Sequence, residues 1–287
     1  MIPAIDTVPA VHDVLATAIL RLAAAGIPEA RADAEVLLAH TLGTDRTGLI
    51  VRARQGLDPD TNGRFEGLVA RRAAREPVAY ILGTREFWSL PFAVDPRVLI
   101  PRPETEIVVE TALDVASHAR RILDVGTGCG AIAVALACEL PGATVVASDR
   151  MRPALEVAAR NCGRLAPRVR LVAADLVAAF GDQAFDLVVT NPPYCAEGTV
   201  VQAEVRDWEP VSALYAGPQG LDALAALARD AARVLAPGGW LVMELGVGQA
   251  TVVARLLDAA GSFGPARVAR DFAGIERVVA AERRAGC

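Results

Sequence analysis

The fold of this chain is decided by the stretch Asp124-Val125-Gly126-Thr127-Gly128-Cys129-Gly130, in which a hydrophobic strand, Ile122–Val125, runs into a glycine-rich turn. Glycine adopts backbone conformations that other residues avoid, so such a turn can be sharp and can approach a ligand closely. The largely apolar segment Ala131–Glu139 follows at once and has the length of a helix. A strand, a glycine-rich turn and a helix in this order predict a binding site for a cofactor that carries adenosine.

The turn alone leaves two classes of enzyme open. Gly126, Gly128 and Ala131 also satisfy the G-x-G-x-x-G/A pattern of enzymes that bind a nicotinamide dinucleotide. The glycine motif therefore favours a methyltransferase and a dehydrogenase equally, and residues further along the chain must decide between them.

The sequence around this turn alternates between strand and helix patterns from residue 105 to residue 287. The predicted elements are a helix at 105–117, a strand at 122–125, a helix at 131–139, a strand at 144–148, a helix at 153–163, strands at 169–173 and 187–190, a helix at 221–234, a strand at 240–245, a helix at 250–260 and a strand at 277–281. This alternation predicts an α/β domain with a Rossmann-like parallel sheet that is covered on both faces.

The first third of the chain has a different pattern. Residues 8–82 carry apolar residues at helical spacing and show no strand signal, which predicts a small helical domain. Residues 83–104 bring aromatic and branched residues broken by proline, which predicts a β-hairpin or an extended linker. We therefore divide the chain into a helical domain (1–82), a hairpin linker (83–104) and a cofactor-binding domain (105–287).

Composition narrows the classes of function. The chain has 287 residues, of which 53% are hydrophobic, so it can bury a sizeable core. The net charge of −5 argues against direct binding of nucleic acid, which usually needs a basic excess. Apolar runs are too short for a membrane span, and Met1–Asp6 lacks the basic start of a secretory signal. We expect a soluble cytoplasmic protein and a monomer.

The cysteines and histidines indicate no metal site. The five cysteines include no C-x-x-C pair, and the three histidines are isolated from them and from one another. Free thiols in a reducing compartment are therefore expected. The cysteines are Cys129, Cys138, Cys162, Cys195 and Cys287.

Three aspartates are candidates for cofactor binding, each with a plainer alternative. Asp149 ends the next strand, where a carboxylate can accept from both ribose hydroxyls, or it can cap the following helix. Asp175 closes the third strand and can accept from an adenine amino group while Leu176, after it, covers the ring; its alternative is a turn aspartate. Asp124 can meet the ammonium group of a methionyl cofactor, or it can hold the loop through backbone N–H groups.

A second motif, Asn191-Pro192-Pro193-Tyr194, follows the strand Leu187–Thr190 and decides between the two cofactor classes. Proline has no N–H, so we expect the carbonyls of this segment to be free for a ligand. The Asn191 side-chain oxygen and the Pro192 carbonyl can accept the two N–H groups of a planar –NH2 group, and Tyr194 can pack on its plane. Catalysis would then consist mainly of positioning and electrostatics. This predicts an N-methyltransferase, since no obvious His or Lys stands at this strand end for hydride chemistry.

Further segments occur in a fixed order and extend the match over roughly residues 77–281. They are Arg85–Trp88, Leu99–Glu106, the glycine turn, Asn191–Tyr194, Glu209-Pro210 and Glu276–Val278. With these segments the chain resembles the bacterial release-factor glutamine methyltransferases, of the N5-glutamine class. Arg85–Trp88 and Pro101–Glu106 are the specific parts, whereas Asn-Pro-Pro-Tyr also occurs in DNA adenine and other N-methyltransferases.

The resemblance implies a class I methyltransferase fold and an activity. The family transfers a methyl group from S-adenosylmethionine to the glutamine of the Gly-Gly-Gln loop in class I peptide chain release factors. Its cofactor loop falls on Gly126–Gly130, with Thr127, Gly128 and Cys129 inside it, its ribose acid on Asp149 and its amide clamp on Asn191–Tyr194. The family often has an aromatic residue where this chain has Leu176, which is a departure at the adenine site. Its N-terminal helical bundle helps to grip the release factor.

Three rival functions differ from this reading in testable ways. A sister class methylates a glutamine of a ribosomal protein and shares Asn-Pro-Pro-Tyr, but Arg85–Trp88 and Pro101–Glu106 favour the release-factor class. A nucleic-acid adenine methyltransferase would need a target-recognition insert and a more basic surface. A binder of release factors that keeps the fold without catalysis would bind S-adenosylmethionine and transfer no methyl group.

The helical domain carries a cluster of arginines on its fourth helix. Arg64, Arg71, Arg72 and Arg75 lie close together in sequence with few acids nearby, and three of them, Arg64, Arg71 and Arg75, share one helical face. The plainer interpretation is a solvated face. The sharper hypothesis is a docking surface for an acidic patch, either on the release factor or on another part of this protein.

Overall fold

The computed structural model describes residues 8–286, so the expectations for Met1–Asp6 and for Cys287 lie outside the described part of the chain. Contacts between residues divide the chain into two compact units. The first unit ends at Gly83 and also includes Gln202–Trp208. The second unit comprises Thr84–Val201 and the chain from Glu209 onward.

The elements follow one another in chain order. The helices are α1 (Val11–Ala24), α2 (Ala30–Thr41), α3 (Arg46–Val51), α4 (Pro59–Ala73), α5 (Val78–Leu82), α6 (Glu106–Ala116), α7 (Ala131–Glu139), α8 (Arg152–Leu165), α9 (Ala203–Trp208), α10 (Asp222–Val234) and α11 (Ala250–Ala260). The strands are β1 (Thr84–Phe87), β2 (Leu90–Ala93), β3 (Arg121–Val125), β4 (Thr144–Asp149), β5 (Arg170–Ala173), β6 (Phe185–Thr190), β7 (Leu235–Glu244), β8 (Arg267–Arg270) and β9 (Glu276–Glu282).

The first unit is a small helical bundle with its own core. Apolar side chains at helical spacing on α1, α2 and α4 meet in its centre, among them the fully buried Leu22, Leu37 and Phe65. Two of the helices begin at an aspartate cap: Asp45 accepts a hydrogen bond from the Gly48 N–H, and Asp58 accepts one from the Thr61 N–H. Such caps satisfy backbone donors that the first turn of a helix leaves unpaired.

The second unit contains a seven-stranded sheet in the order β5-β4-β3-β6-β7-β9-β8. Strands β3 to β7 pair with one another in parallel, while β9 runs antiparallel to both β7 and β8. The chain starts in the middle at β3, proceeds outward to β5, and then returns to the other side of β3 with β6. The adjacent strands β3 and β6 therefore form the point where the strand order reverses.

Helices cover both faces of this sheet. On one face the register aligns Leu123, Val188 and Leu241, which are fully buried against α10 and α11. On the other face α6 packs on β6, β7 and β9, and α7 packs on β3 and β4. Both faces of β3, β6 and β7 are consequently apolar, as expected for a doubly covered parallel sheet.

The structure confirms the predicted fold class, an α/β sheet of the class I methyltransferase type with a helical N-terminal domain and a β1–β2 hairpin. Three elements are absent from the sequence prediction: the short helices α5 and α9, and the edge strand β8. Helix α9 buries none of its residues and β8 is mostly exposed, so neither carries an apolar pattern that a sequence reading can detect. The prediction of a parallel sheet is also incomplete, because β9 and β8 form an antiparallel edge.

Arg75 lies beyond the end of α4 with a φ of 70°, so the prediction that it shares a helical face with Arg64 and Arg71 is wrong. The expectation that these arginines have few acids nearby is also wrong. Arg71 donates to Glu76, and Arg75 donates to Glu204 of α9. Arg72 is buried and donates to Asp33 of α2 and to Glu204. The exposed Arg64 differs from the other three arginines. Its hydrogen-bonded side-chain partner within residues 8–286 is a neutral group, the Thr61 hydroxyl. Much of the predicted docking face is thus engaged by acidic residues of the same unit.

Two further observations concern the apolar helices and the cysteines. Among residues 8–286, no helix is both long enough and apolar enough to cross a membrane. The cysteines at positions 129, 138, 162 and 195 are free thiols, as the sequence predicts.

Candidate active site

The candidate site lies where the strand order reverses, at the carboxyl ends of β3 and β6. In open α/β sheets the crevice at this point is the usual place for a ligand. Strand β3 ends at Val125 and continues into the glycine turn, and β6 ends at Thr190 and continues into Asn191. Because Val125 pairs with Thr190 in the sheet, the two sequence motifs meet at one edge although about 65 residues separate them.

The glycine turn has the backbone that its sequence predicts. Gly126, Gly128 and Gly130 all have positive φ, at 70°, 56° and 88°. A Cβ added at Gly126 or Gly128 would meet no atom within 4 Å, so these two positions need glycine for conformation and leave open space beside the backbone. Thr127 ties the turn to the neighbouring strand, since its N–H donates to the Ser148 carbonyl at 2.9 Å.

Asp124 holds this turn from beneath. It is fully buried, and its Oδ2 accepts from the Thr127 hydroxyl at 2.5 Å and from the Ala133 N–H at 3.2 Å. Burial raises the pKa of this carboxyl to about 7, against the opposing effect of these hydrogen bonds. Its Oδ1 has no hydrogen-bond partner within residues 8–286. Asp124 thus holds the loop through the Thr127 hydroxyl and the start of α7, and not through backbone N–H groups of the loop itself. The contact with a cofactor ammonium group stays a prediction.

Asp149 links the turn to the end of β4. Its Oδ2 accepts from the Gly128 N–H at 3.0 Å, and its Oδ1 accepts from the Met151 N–H at 2.8 Å. The carboxylate is therefore oriented before any ligand arrives, and each oxygen keeps capacity for a further donor. It lines the same cavity as Gly126 and Gly128.

The adenine candidates reach the cavity from the loop after β5. Strand β5 ends at Ala173, so Asp175 lies two residues beyond the strand rather than at its end. Leu176 lines the cavity with a positive φ of 46°, an uncommon conformation for a leucine. Cys129 also lines the cavity but is buried, and its burial raises the thiol pKa to about 12, so the thiol stays protonated.

The Asn-Pro-Pro-Tyr segment is fixed at both ends by side chains that lie behind it. Asn191 Nδ2 donates to the Thr105 hydroxyl oxygen at 3.1 Å, which leaves Asn191 Oδ1 as the free acceptor. The Tyr194 hydroxyl donates to Glu244 Oε1 at 3.2 Å, and the Tyr194 carbonyl accepts from Gln249 Nε2 at 3.0 Å. Burial is the main cause that raises the Tyr194 pKa, so the phenol stays neutral.

The predicted residues divide into two groups around a cavity of about 430 Å³. The residues that line it are Gly126, Thr127, Gly128, Cys129, Asp149, Asp175, Leu176, Asn191 and Pro193. The remaining predicted residues lie outside the lining; they are Asp124, Gly130, Pro192 and Tyr194. The structure thus brings the cofactor candidates and Asn191 to one cavity, with Asp124 and Tyr194 as supports behind its wall.

Sequence reasoning missed residues that support this cavity. Glu209 is buried and accepts from Arg102 Nη2 at 2.5 Å and from the Ile100 N–H, which ties the wall segments at Pro101 and Pro210 together. Thr105 and Glu244 support Asn191 and Tyr194 from behind. The available signal for Glu244 was a single acid between Met243 and Leu245 in an otherwise apolar strand.

These residues fit S-adenosylmethionine. The open space beside Gly126 and Gly128 admits a ligand against the backbone, and the Asp149 and Asp175 carboxylates offer acceptors for hydroxyl and amino groups. A cavity of about 430 Å³ also lies within the usual range for a small-molecule site. The fold and this site define a class I methyltransferase.

Comparison with known proteins identifies the family. The PrmC N-terminal domain matches residues 13–83, and the methyltransferase small domain matches residues 104–207. The chain is 48% identical over 260 residues to a release factor glutamine methyltransferase of Geobacter sulfurreducens, which covers 90% of this chain and 91% of the relative. It is 45% identical over 273 residues to one of Cereibacter sphaeroides, covering 94% and 97%.

The chain belongs to the release factor glutamine methyltransferase family. A methyltransferase of Pyrococcus furiosus of known structure shares the fold, with a TM-score of 0.53 at 19% identity, covering 75% of this chain and 98% of that one.

Proposed function

We propose that this protein transfers a methyl group from S-adenosylmethionine to the side-chain amide nitrogen of the glutamine in the Gly-Gly-Gln motif of class I peptide chain release factors. The observation that carries the proposal is the orientation of Asn191 at the strand end beside the glycine turn. Its –NH2 group is already engaged by Thr105, so its Oδ1 is the atom offered to the cavity. An acceptor in this position suits an incoming amide N–H and repels an incoming carbonyl.

The cofactor supplies an electrophilic methyl group on a sulfonium, so the protein needs only to hold the acceptor nitrogen in line. Gly126–Gly130 would lie against the cofactor, and Asp149 would accept from its ribose hydroxyls. Asp175 would accept from the adenine amino group, and Leu176 would cover the ring with an aliphatic side chain in place of an aromatic one. Asp124, buried behind the turn, would act on the ammonium group of the cofactor through its charge and not as part of the cavity lining.

The acceptor amide is held by the Asn-Pro-Pro-Tyr segment. Asn191 Oδ1 and the Pro192 carbonyl would accept the two N–H groups of the glutamine amide, and Pro193 would confine its plane, while Tyr194 supports the segment from behind. Accepting both N–H groups would raise the electron density on the amide nitrogen. Methyl transfer would form the N–C bond, break the S–C bond to leave the neutral thioether, and release one amide proton to solvent. Positioning of this kind is worth several kcal/mol without any proton acceptor of unusual basicity.

The release factor is the partner that the family membership supports, with the helical unit as its second contact. We expect the enzyme to act as a monomer and without nucleic acid, in keeping with its net charge of −5. Binding energy gained far from the reacting amide then serves to position that amide.

The decisive experiment is intact-mass analysis of a purified class I release factor after incubation with the protein and S-adenosylmethionine. We expect a gain of one methyl group, located by peptide sequencing on the Gly-Gly-Gln glutamine. A release factor with glutamate at that position is the matched control and should gain none. Methylation of a ribosomal protein instead, or cofactor binding without transfer to the release factor, would contradict the proposal.

Asp149→Ala should weaken cofactor binding. Loss of a charged acceptor for hydroxyl groups costs roughly 1.5–3 kcal/mol, or about 10- to 150-fold in Kd for S-adenosylmethionine. Isothermal titration calorimetry measures this change. Asp230→Ala is the control, because Asp230 lies on α10 outside the cavity and pairs with Arg229. An unchanged Kd for Asp149→Ala removes Asp149 from the ribose site.

A further inference from the structure

An exposed aromatic ring lies in the connection between β8 and β9, residues 271–275, which we call the tip. Phe272 is fully exposed, whereas the other six phenylalanines are buried or half-buried. A single exposed apolar side chain has no meaning of its own, so the surroundings of this ring must decide whether it binds a partner.

The tip is held by hydrogen bonds among its own residues. Asp271 Oδ1 accepts from the Ala273 N–H and from the Ile275 N–H, each at 2.9 Å. The Asp271 N–H donates to the Ile275 carbonyl at 2.9 Å, and the Gly274 N–H donates to the Asp271 carbonyl at 2.8 Å. Phe272 is therefore presented on an ordered backbone, so a partner that packs on its ring has little backbone entropy to remove.

The register of the sheet places the tip at the edge where the candidate site lies. Strand β9 runs antiparallel to β7, and Glu244, the last residue of β7, pairs with Val278. The tip therefore lies beyond the carboxyl end of β7, on the same edge as the ends of β3 and β6. Neighbouring strands are about 4.8 Å apart, and β9 and β8 are two and three strands from β6, so the tip lies roughly 10–15 Å from Asn191.

An arginine connects the tip to the wall of the site. Arg277 Nε donates to Asp271 Oδ2 at 2.8 Å, and Arg277 Nη2 lies 3.9 Å from Glu104 Oε1. Glu104 is followed by Thr105, whose hydroxyl accepts from Asn191 Nδ2. The tip is thus fastened to the segment that supports Asn191.

Other exposed apolar side chains lie on this edge of the sheet. Val247 follows the end of β7, and Met151 follows the end of β4 and lines the cavity. Val211 follows β6 and stands between Pro210 and Ser212, which both line the cavity. The edge that carries the site therefore offers apolar contacts on both sides of β6.

The charges beside Phe272 are paired with one another. Arg270 Nη2 donates to Glu276 Oε1 at 2.6 Å, and Arg277 is bound to Asp271. A groove for single-stranded nucleic acid combines aromatic rings with a basic surface that follows the phosphates. Because each of these arginines is neutralised by an acid, the surroundings of the ring favour an apolar protein surface as its partner.

We propose that Phe272 is an anchor for the protein substrate and packs on the release-factor segment that flanks the Gly-Gly-Gln glutamine. The proposal rests on the proposed function, since a glutamine held at Asn191 brings its own chain across this edge of the sheet. An extended chain advances about 3.3 Å per residue, so a distance of roughly 10–15 Å corresponds to about three to five residues from the glutamine.

The kinetic test compares Phe272→Ser and Phe272→Trp with the wild type on an intact release factor. Phe272→Ser should raise KM for the release factor by about 10- to 30-fold, as expected for the loss of an aromatic anchor at an interface. Both kcat and the Kd for S-adenosylmethionine should stay within about threefold of wild type. Phe272→Trp keeps a large apolar ring and should leave KM within about threefold. Thermal unfolding should be unchanged in both variants, because the ring is exposed.

Photo-cross-linking identifies the partner directly. Benzoylphenylalanine in place of Phe272 should cross-link to the release factor within about ten residues of the glutamine, as mapped by mass spectrometry of the digested product. The matched control carries benzoylphenylalanine in place of Asp182, whose side chain is 74% exposed near the amino end of β6, at the opposite edge of the sheet. It should give no such product.

A Phe272→Ser variant with KM within twofold of wild type overturns the proposal. So do equal increases of KM in Phe272→Ser and Phe272→Trp, since the apolar ring is then not the group that binds. Cross-links to added RNA, to a second copy of this chain or to a release-factor segment far from the glutamine assign the ring to another partner and also overturn it. A wild type that methylates no release factor contradicts the proposed function instead, so the two failures are distinct.

Discussion

Replacing Asn191 by alanine should lower kcat by about 100- to 1000-fold, equivalent to ~2.7–4 kcal/mol of transition-state stabilisation. Asn191 Oδ1 is the one side-chain acceptor of the Asn-Pro-Pro-Tyr segment that faces the cavity, and Thr105 orients it before substrate binds. Because the contact acts on the reacting amide, the loss should appear in kcat. The Kd for S-adenosylmethionine, measured by calorimetry, should change by less than about threefold.

Single-turnover methylation of a release factor, with saturating cofactor, measures the effect on the chemical step. Asp230→Ala is again the control, because Asp230 lies on α10 outside the cavity lining and pairs with Arg229. It should retain wild-type turnover. Turnover of Asn191→Ala within threefold of wild type would remove Asn191 from the mechanism and leave the Pro192 carbonyl as the sole proposed acceptor.

The parts of the site that the sequence predicts are those set by local structure. A strand end followed by Gly126–Gly130 has few possible conformations, and Asp149 and Asn191 each stand directly at a strand end. In a parallel sheet such positions share one edge, so their proximity follows from strand assignment alone. The hairpin β1–β2 could also be predicted from local sequence, since only Trp88 and Ser89 join its two strands.

The missed residues depend on the order and register of the strands. Glu244 reaches Tyr194 because β7 is the neighbour of β6, and Thr105 reaches Asn191 across 86 positions of the chain. Neither of these two contacts between distant positions can be predicted from a single sequence.

The arginines of α4 are a different case, because the spacing of residues on this helix indicates which arginine is buried. Phe65, Val69 and Arg72 recur at helical spacing on the face that is buried, so Arg72 belongs with the core and not with the exposed Arg64.

Replacing Arg72 by methionine should destabilise the helical unit by about 3–5 kcal/mol, the usual cost of removing one partner from a buried ion pair. The Arg72 side chain is only 8% exposed and donates to Asp33 at 2.7 Å, to Glu204 at 3.2 Å and to the Glu76 carbonyl. Methionine fills much of the volume but leaves Asp33 without this partner. Glu204 keeps Arg75, so the attachment of 202–208 to the unit should weaken rather than vanish.

Hydrogen exchange of the amides in α2, α4 and α9 measures this loss for each helix. Exchange in α2 and α4 should accelerate by roughly 100- to 1000-fold or more, since each 1.4 kcal/mol is a factor of ten in an opening equilibrium. Arg64→Met, on the same helix but exposed and hydrogen-bonded to the Thr61 hydroxyl, should cost less than about 0.5 kcal/mol. If the amides of α2, α4 and α9 exchange at the same rates in Arg72→Met as in Arg64→Met, the buried arginine does not hold α2 and α9 to α4. The arginine-rich helix would then again be a candidate surface for an acidic patch on the release factor.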